Sequence, residues 1–199
     1  MKPIFAALLL TTAIVIGGRY TSSARASDDV SRLIQRLRDP DVQHRRDAAR
    51  ELSKISPLPP EGIEAMAGLL ERPDQDTLIS LTAETALCNA GASAISVATR
   101  FAGSKDNFIF QKGIGLLGCI APKDKDAWPI LIAIYKTNPA SNAILNLASV
   151  GPPVLPIMFD ALKGGDQTMR AGAIMTIEAM VNNALAVPRG PLVDCWAGR

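Results

Sequence analysis

A chain of 199 residues is long enough for one domain or a short repeat array with a real core. Apolar residues make up 48% of it but aromatics only 5%, so Ala, Leu and Ile carry the packing. That suits close-packed helices and argues against a β-sandwich, which draws on aromatic and β-branched side chains. The formal charge of +2 misleads: without Lys2, Arg19 and Arg25 of the N-terminal segment, the 21 basic side chains become 18 against 19 acidic ones, a net −1. Nucleic-acid binding is excluded on that balance, since no excess remains to build a concentrated positive field.

Residues 1–26 have the three parts of a secretory signal. Lys2 is a minimal positive start, Pro3 to Gly18 is uncharged and mostly apolar, and Ala24-Arg25-Ala26 is an A-x-A cleavage pattern. The apolar run is shorter than the ~20 residues a spanning helix normally needs. No cysteine stands near the cleavage point to take a lipid. The mature chain is therefore expected to begin at Ser27 and to work in the periplasm or outside the cell. Membrane contact is expected only if the segment stays uncleaved.

From there an apolar pair three residues apart recurs along the chain: Leu52/Ile55, Leu87/Ala90, Leu117/Ile120, Leu147/Val150 and Ile177/Met180. Successive anchors are 35, 30, 30 and 30 residues apart. Small or apolar residues precede the anchors by three and four positions: Ala48-Ala49, Ala83, Gly113-Ile114, Ala143-Ile144 and Ala173-Ile174. Offsets of −4, −3, 0 and +3 share one helical face. An earlier apolar cluster precedes each: Leu33-Ile34/Leu37, Met66-Ala67/Leu70, Val97-Ala98/Phe101, Leu131-Ile132/Tyr135 and Met158-Phe159/Leu162. Pro129 and Pro156 precede their clusters by two residues, in a first helical turn where a missing N–H costs nothing. Turn signals such as Asp39-Pro40-Asp41 and Gly164-Gly165 separate the two helices of a unit, and Gly91, Pro122 and Gly151-Pro152-Pro153 separate units. The expected fold is all-α, a right-handed α-solenoid of about five antiparallel helical hairpins over 27–183. The units lie near 28–57, 58–92, 93–122, 123–151 and 152–183. The segment 184–199 is expected to be a cap with Trp196 folding back, or a partner-docking tail.

Asp39-Pro40-Asp41, followed by Arg45-Arg46, Ala48-Ala49 and Leu52, resembles the HEAT repeat, especially its short bacterial form. An acidic residue stands eleven before the anchor as Asp41, Asp76, Asp106 and Asp166, with an apolar residue three later at Ile79, Ile109 and Met169. The pattern's Arg is kept as Arg45 and Arg170 but replaced by Ser80 and Phe110. The fourth unit departs most, with Asn138-Pro139 and no matching Asp. The resemblance covers about residues 28–183 and implies a binding scaffold for a protein or peptide. Some short members of the family are similar to bilin lyases, which keeps an accessory role in an enzyme system as the alternative, beside a membrane-tethered organiser. The aspartates also have a local reason, because a helix-capping Asp is worth ~1 kcal/mol.

Catalytic and cofactor chemistry find little support. His44, the one histidine, occupies an apolar repeat position and is expected to be partly buried and structural; alone it supports neither a metal site nor a triad. Cys88, Cys119 and Cys195 contain no C-x-x-C. Cys88 and Cys119 stand one and two residues past their anchors, roughly 100° apart on the helical wheel, so separate thiols are expected rather than a bridge. No enzyme activity, cofactor or metal is therefore expected. The partner-binding candidates are the basic stripe Arg46, Arg50 and Lys54 on a second helix, with Arg32 and Arg36 on the helix before it. The bland reading of that stripe is a solvated face neutralised by Asp47 and Glu51. Phe110 completes the set, as an aromatic standing where the repeat pattern has Arg.

Overall fold

The computed structural model describes residues 27–72, 75–138 and 143–186. Residues 1–26, read above as a secretory signal, Pro139 and the stretch 187–199 with Trp196 and Cys195 lie outside the described residues. Every regular element among those described is helical: α1 (27–36), α2 (Val42–Ser53), α3 (Pro60–Leu70), α4 (Thr77–Ala90), α5 (Ile95–Ala102), α6 (Asn107–Ile120), α7 (Trp128–Thr137), α8 (Ala143–Val150), α9 (Leu155–Gly164) and α10 (Gln167–Ala186). Consecutive pairs are the expected hairpins. The chain divides into two compact units, one through Ala86 and one from Leu87.

In the first unit the helix starts are set locally. The Asp41 carboxylate accepts from the Gln43 N–H at 2.7 Å and caps α2. The Asp76 carboxylate accepts from the Leu78 and Ile79 N–H groups at the start of α4. Arg45 donates to the Asp39 and Pro40 carbonyls at 2.8 Å each, clamping the turn between α1 and α2. Leu52, Met66, Leu70 and Ile79 are fully buried and form the core of this unit. Four such side chains contribute on the order of 1.5–3 kcal/mol each.

The second unit repeats the logic. The Asp106 carboxylate accepts from Phe108 and Ile109, and that of Asp166 from Met169. Arg170 donates to the Gly165 carbonyl, the same service to its turn that Arg45 gives in the first hairpin. Gly91 and Gly151, with φ of 57° and 80°, follow α4 and α8 directly and turn the chain out of each helix. The helices α5 and α6 pack closely because a Cβ on Gly113 would stand inside the backbone of Phe101 and Ala102. Phe101, Ile114, Leu117, Ile120, Leu131 and Tyr135 fill the core.

Side chains also tie the second helices of this unit to one another. The Asn146 amide donates to the Ile114 carbonyl at 2.8 Å, the Ser149 hydroxyl to Gly118 at 3.3 Å, and the Thr176 hydroxyl to Ile144 at 3.3 Å. Gly118 is required for this, since any Cβ there would overlap the Asn146 side chain. The result is a hydrogen-bonded layer running α6–α8–α10.

Three expectations are corrected. Cys88 and Cys119 form a disulfide with a Cα–Cα distance of 5.7 Å. Parallel neighbours meet through opposite flanks, so cysteines at different wheel positions are the ones that can face each other. His44 is exposed, its side chain 54% accessible, because its Nδ1 lies 3.1 Å from the Asp39 carboxylate and keeps that partner without desolvation. In α10 the buried positions are Gly172, Ala173 and Thr176 rather than Ile174 and Ile177. Thr176 draws its face of α10 against α8, leaving Ile174 48% exposed, and Phe159 of α9 is 49% exposed. No described helix covers the outer flank of α9 and α10.

Candidate functional site

The cations singled out in the sequence do not act as one stripe. Arg46 is committed within the first unit: its Nε and Nη2 donate to the two Asp76 carboxylate oxygens at 3.1 and 2.7 Å. This bidentate pair joins α2 to the start of α4, from one repeat to the next. Arg50 pairs with Asp47 at 3.2 Å within α2, and Lys54 at its C-cap with Glu51 at 2.7 Å, both exposed pairs. Arg32 pairs with Asp29 at 2.7 Å on α1.

What the fold does bring together is Arg32 and Arg36 of α1 with Lys54 at the end of α2. They stand around an open cleft of about 600 Å³, with Asp29 and Glu51 also on its walls and Leu33 and Ile55 as its apolar lining. Arg36 lies close enough to help hold the Asp39 carboxyl below the usual carboxylate range, where the first cause is the hydrogen bond from the Asp41 N–H. Arg46 and Arg50 do not line this cleft.

The Arg46 guanidinium also holds the Asp76 carboxyl down to about 2, from an ordinary 3.8. A carboxyl depressed on folding contributes stability that is complete above about pH 4 and lost as the pH falls toward 2. Wild type is therefore expected to lose melting temperature between pH 4 and 2 faster than Asp76→Asn, which keeps a capping oxygen but not the charge. Parallel losses in a pair of pH-dependent melts would contradict the assignment.

The second unit offers a different surface. On the α6–α8–α10 layer, Gly115, Leu145 and Met175 hold the same repeat position, two residues before the anchors, and all three are exposed. Leu145 is 53% and Met175 51% accessible, with Ile174 beside them. Phe110 is half-buried, and Phe108 is the more exposed aromatic at 39%, with the Lys112 ammonium 5.5 Å from its ring centre. Sequence reading missed this row because it named Phe110. The signal was present, in apolar residues recurring off the buried face.

Among the described residues no group of three or more His, Cys, Asp or Glu side chains is placed to hold a metal ion. Nor is any single described helix long and apolar enough to cross a membrane.

No protein-family model matches the chain, and no curated protein matches it. Solved structures of similar architecture include the complex of CpcE and CpcF of phycocyanin lyase from Nostoc sp. PCC7120, at 18% identity and TM-score 0.44, covering 77% of this chain and 65% of that one. A designed armadillo repeat protein in complex with the peptide (KR)4 has 15% identity and TM-score 0.36, covering 76% and 81%. An engineered protein from a structural genomics programme has 18% identity and TM-score 0.36, covering 78% and 85%. Capped hairpins, buried anchors at a near-constant period and cross-helix ties between equivalent positions make this chain an all-helical repeat protein of the α-solenoid class.

Proposed function

We propose that the chain is an exported scaffold that binds a protein or peptide partner on the outward face of α6, α8 and α10, and that it binds rather than catalyses. One observation carries this reading: exposed Leu145, Ile174 and Met175 stand on adjacent helices that side-chain hydrogen bonds hold in fixed register. Apolar side chains exposed on a rigid surface gain free energy when a partner covers them, and a rigid face loses little entropy on binding. The export half rests on the signal-like segment 1–26, and an intact mass beginning at Ser27 is expected for the exported protein.

The test is a paired affinity capture from the exported fraction with wild type and Leu145→Asp/Met175→Asp. Both positions are exposed, so the melting temperature should hold. Truncating an interface anchor costs more than about 1 kcal/mol, so the partner retained by wild type should be lost or weakened roughly tenfold. Equal retention by the folded variant would refute the assignment of this face.

A further inference from the structure

We infer that the cleft between α1 and the end of α2 is a binding site for an acidic peptide segment, one in which a carboxylate side chain stands next to an apolar one. This site is independent of the α6–α8–α10 face.

Asp29, Arg32, Leu33 and Arg36 fall at i, i+3, i+4 and i+7, so all four share one face of α1. The fold sets that face opposite Glu51, Lys54 and Ile55. Three cations and two anions thus surround an apolar lining in a cleft of about 600 Å³, within the roughly 300–1,000 Å³ usual for ligand pockets.

Two of the cations are held only weakly. Arg32–Asp29 and Lys54–Glu51 are exposed pairs between residues three apart in sequence. Such pairs contribute little, so either cation can turn to an incoming carboxylate at small cost. Arg36 forms no ion pair among the described residues. Arg36 and Lys54, at the ends of α1 and α2, also suit the negative end of a helix dipole, which accounts for their sign. It does not account for the apolar lining between them. Leu33 and Ile55 have a use if the ligand brings an apolar side chain beside its acid. A free anion would leave them unused, so a peptide is the occupant that satisfies both halves of the cleft.

The experiment uses the full mature chain and a fluorescein-labelled peptide of alternating Glu and Leu, read by fluorescence anisotropy at low salt. Saturable binding is expected, weakening as salt rises toward roughly 0.2 M. The Arg32→Gln/Arg36→Gln variant is expected to bind roughly 3- to 10-fold more weakly with an unchanged melt. Should that variant lose stability, Lys54→Gln carries the same test from the opposite wall. A peptide with Gln in place of Glu should not bind, and one with Ser in place of Leu should bind less tightly. The Leu145→Asp/Met175→Asp variant should bind the probe as wild type does, which separates this site from the face proposed above. The inference falls if the probe does not saturate, if the cleft variants or the Gln peptide bind equally, or if inorganic phosphate displaces the probe better than chloride at matched ionic strength. That last result would make the cleft a free-anion site.

Discussion

Cys88→Ser/Cys119→Ser is expected to lower the free energy of unfolding by about 3–4 kcal/mol relative to the oxidised wild type. The two cysteines are 31 residues apart, and cross-linking a loop of that length removes chain entropy from the unfolded ensemble. In the folded state the bond joins the last turn of α4 to α6, beside the anchors Leu87 and Leu117 of two successive repeats. Equilibrium denaturation with and without dithiothreitol checks it. Reductant should bring wild type down to the variant's midpoint and leave the variant unmoved. A wild-type midpoint indifferent to reductant would contradict the bond's contribution. The expected export of the chain fits this chemistry, since disulfides persist in oxidising compartments.

Leu117→Ala is expected to cost ~2–5 kcal/mol, in the upper half of that range. Leu117 is fully buried, and the cost of a truncation depends on how far the surroundings can close into the space left. Here α6 has little freedom to move. Gly113 already meets the backbone of Phe101 and Ala102, Gly118 meets Asn146, and Cys119 is bonded to Cys88. A helix held at three points over two turns cannot slide inward, so most of the cavity should remain. Thermal or denaturant unfolding of the variant is the check. A midpoint within error of wild type would show that the anchor register is wrong.

Much of the fold was legible because its causes are local. The capping aspartates Asp41, Asp76, Asp106 and Asp166 each accept a hydrogen bond from an N–H two or three residues on, which depends only on neighbouring residues. Anchors Leu52, Leu87, Leu117 and Leu147 are fully buried because a 3.6-residue period fixes one face. The fifth anchor slipped where the described repeats end, since a face is defined by what covers it and α10 is covered on fewer sides. Contacts between helices were less legible. The Cys88–Cys119 bond and the Asn146, Ser149 and Thr176 ties depend on how one helix is set beside the next, which sequence spacing alone does not specify.

The candidate site shows the same division. Arg46, Arg50 and Lys54 read as a single stripe because they stand four residues apart, and α2 carries the two arginines with Lys54 at its C-cap. Their partners then separate them. Arg46 reaches Asp76 in the next repeat, Arg50 and Lys54 turn to acids three residues before them, and Lys54 alone joins Arg32 and Arg36 at the cleft.

The central claim, that a partner is held on the α6–α8–α10 face, is tested most directly by hydroxyl-radical footprinting of the free protein and of its native complex. Met175 is a sensitive probe because it is 51% exposed and its thioether oxidises readily, while fully buried Met66 and Met158 serve as internal references. Binding is expected to protect Met175 and Leu145 and to leave the exposed Phe159 of α9 reactive. A complex in which Met175 and Leu145 stay fully reactive while Phe159 is protected would contradict the account.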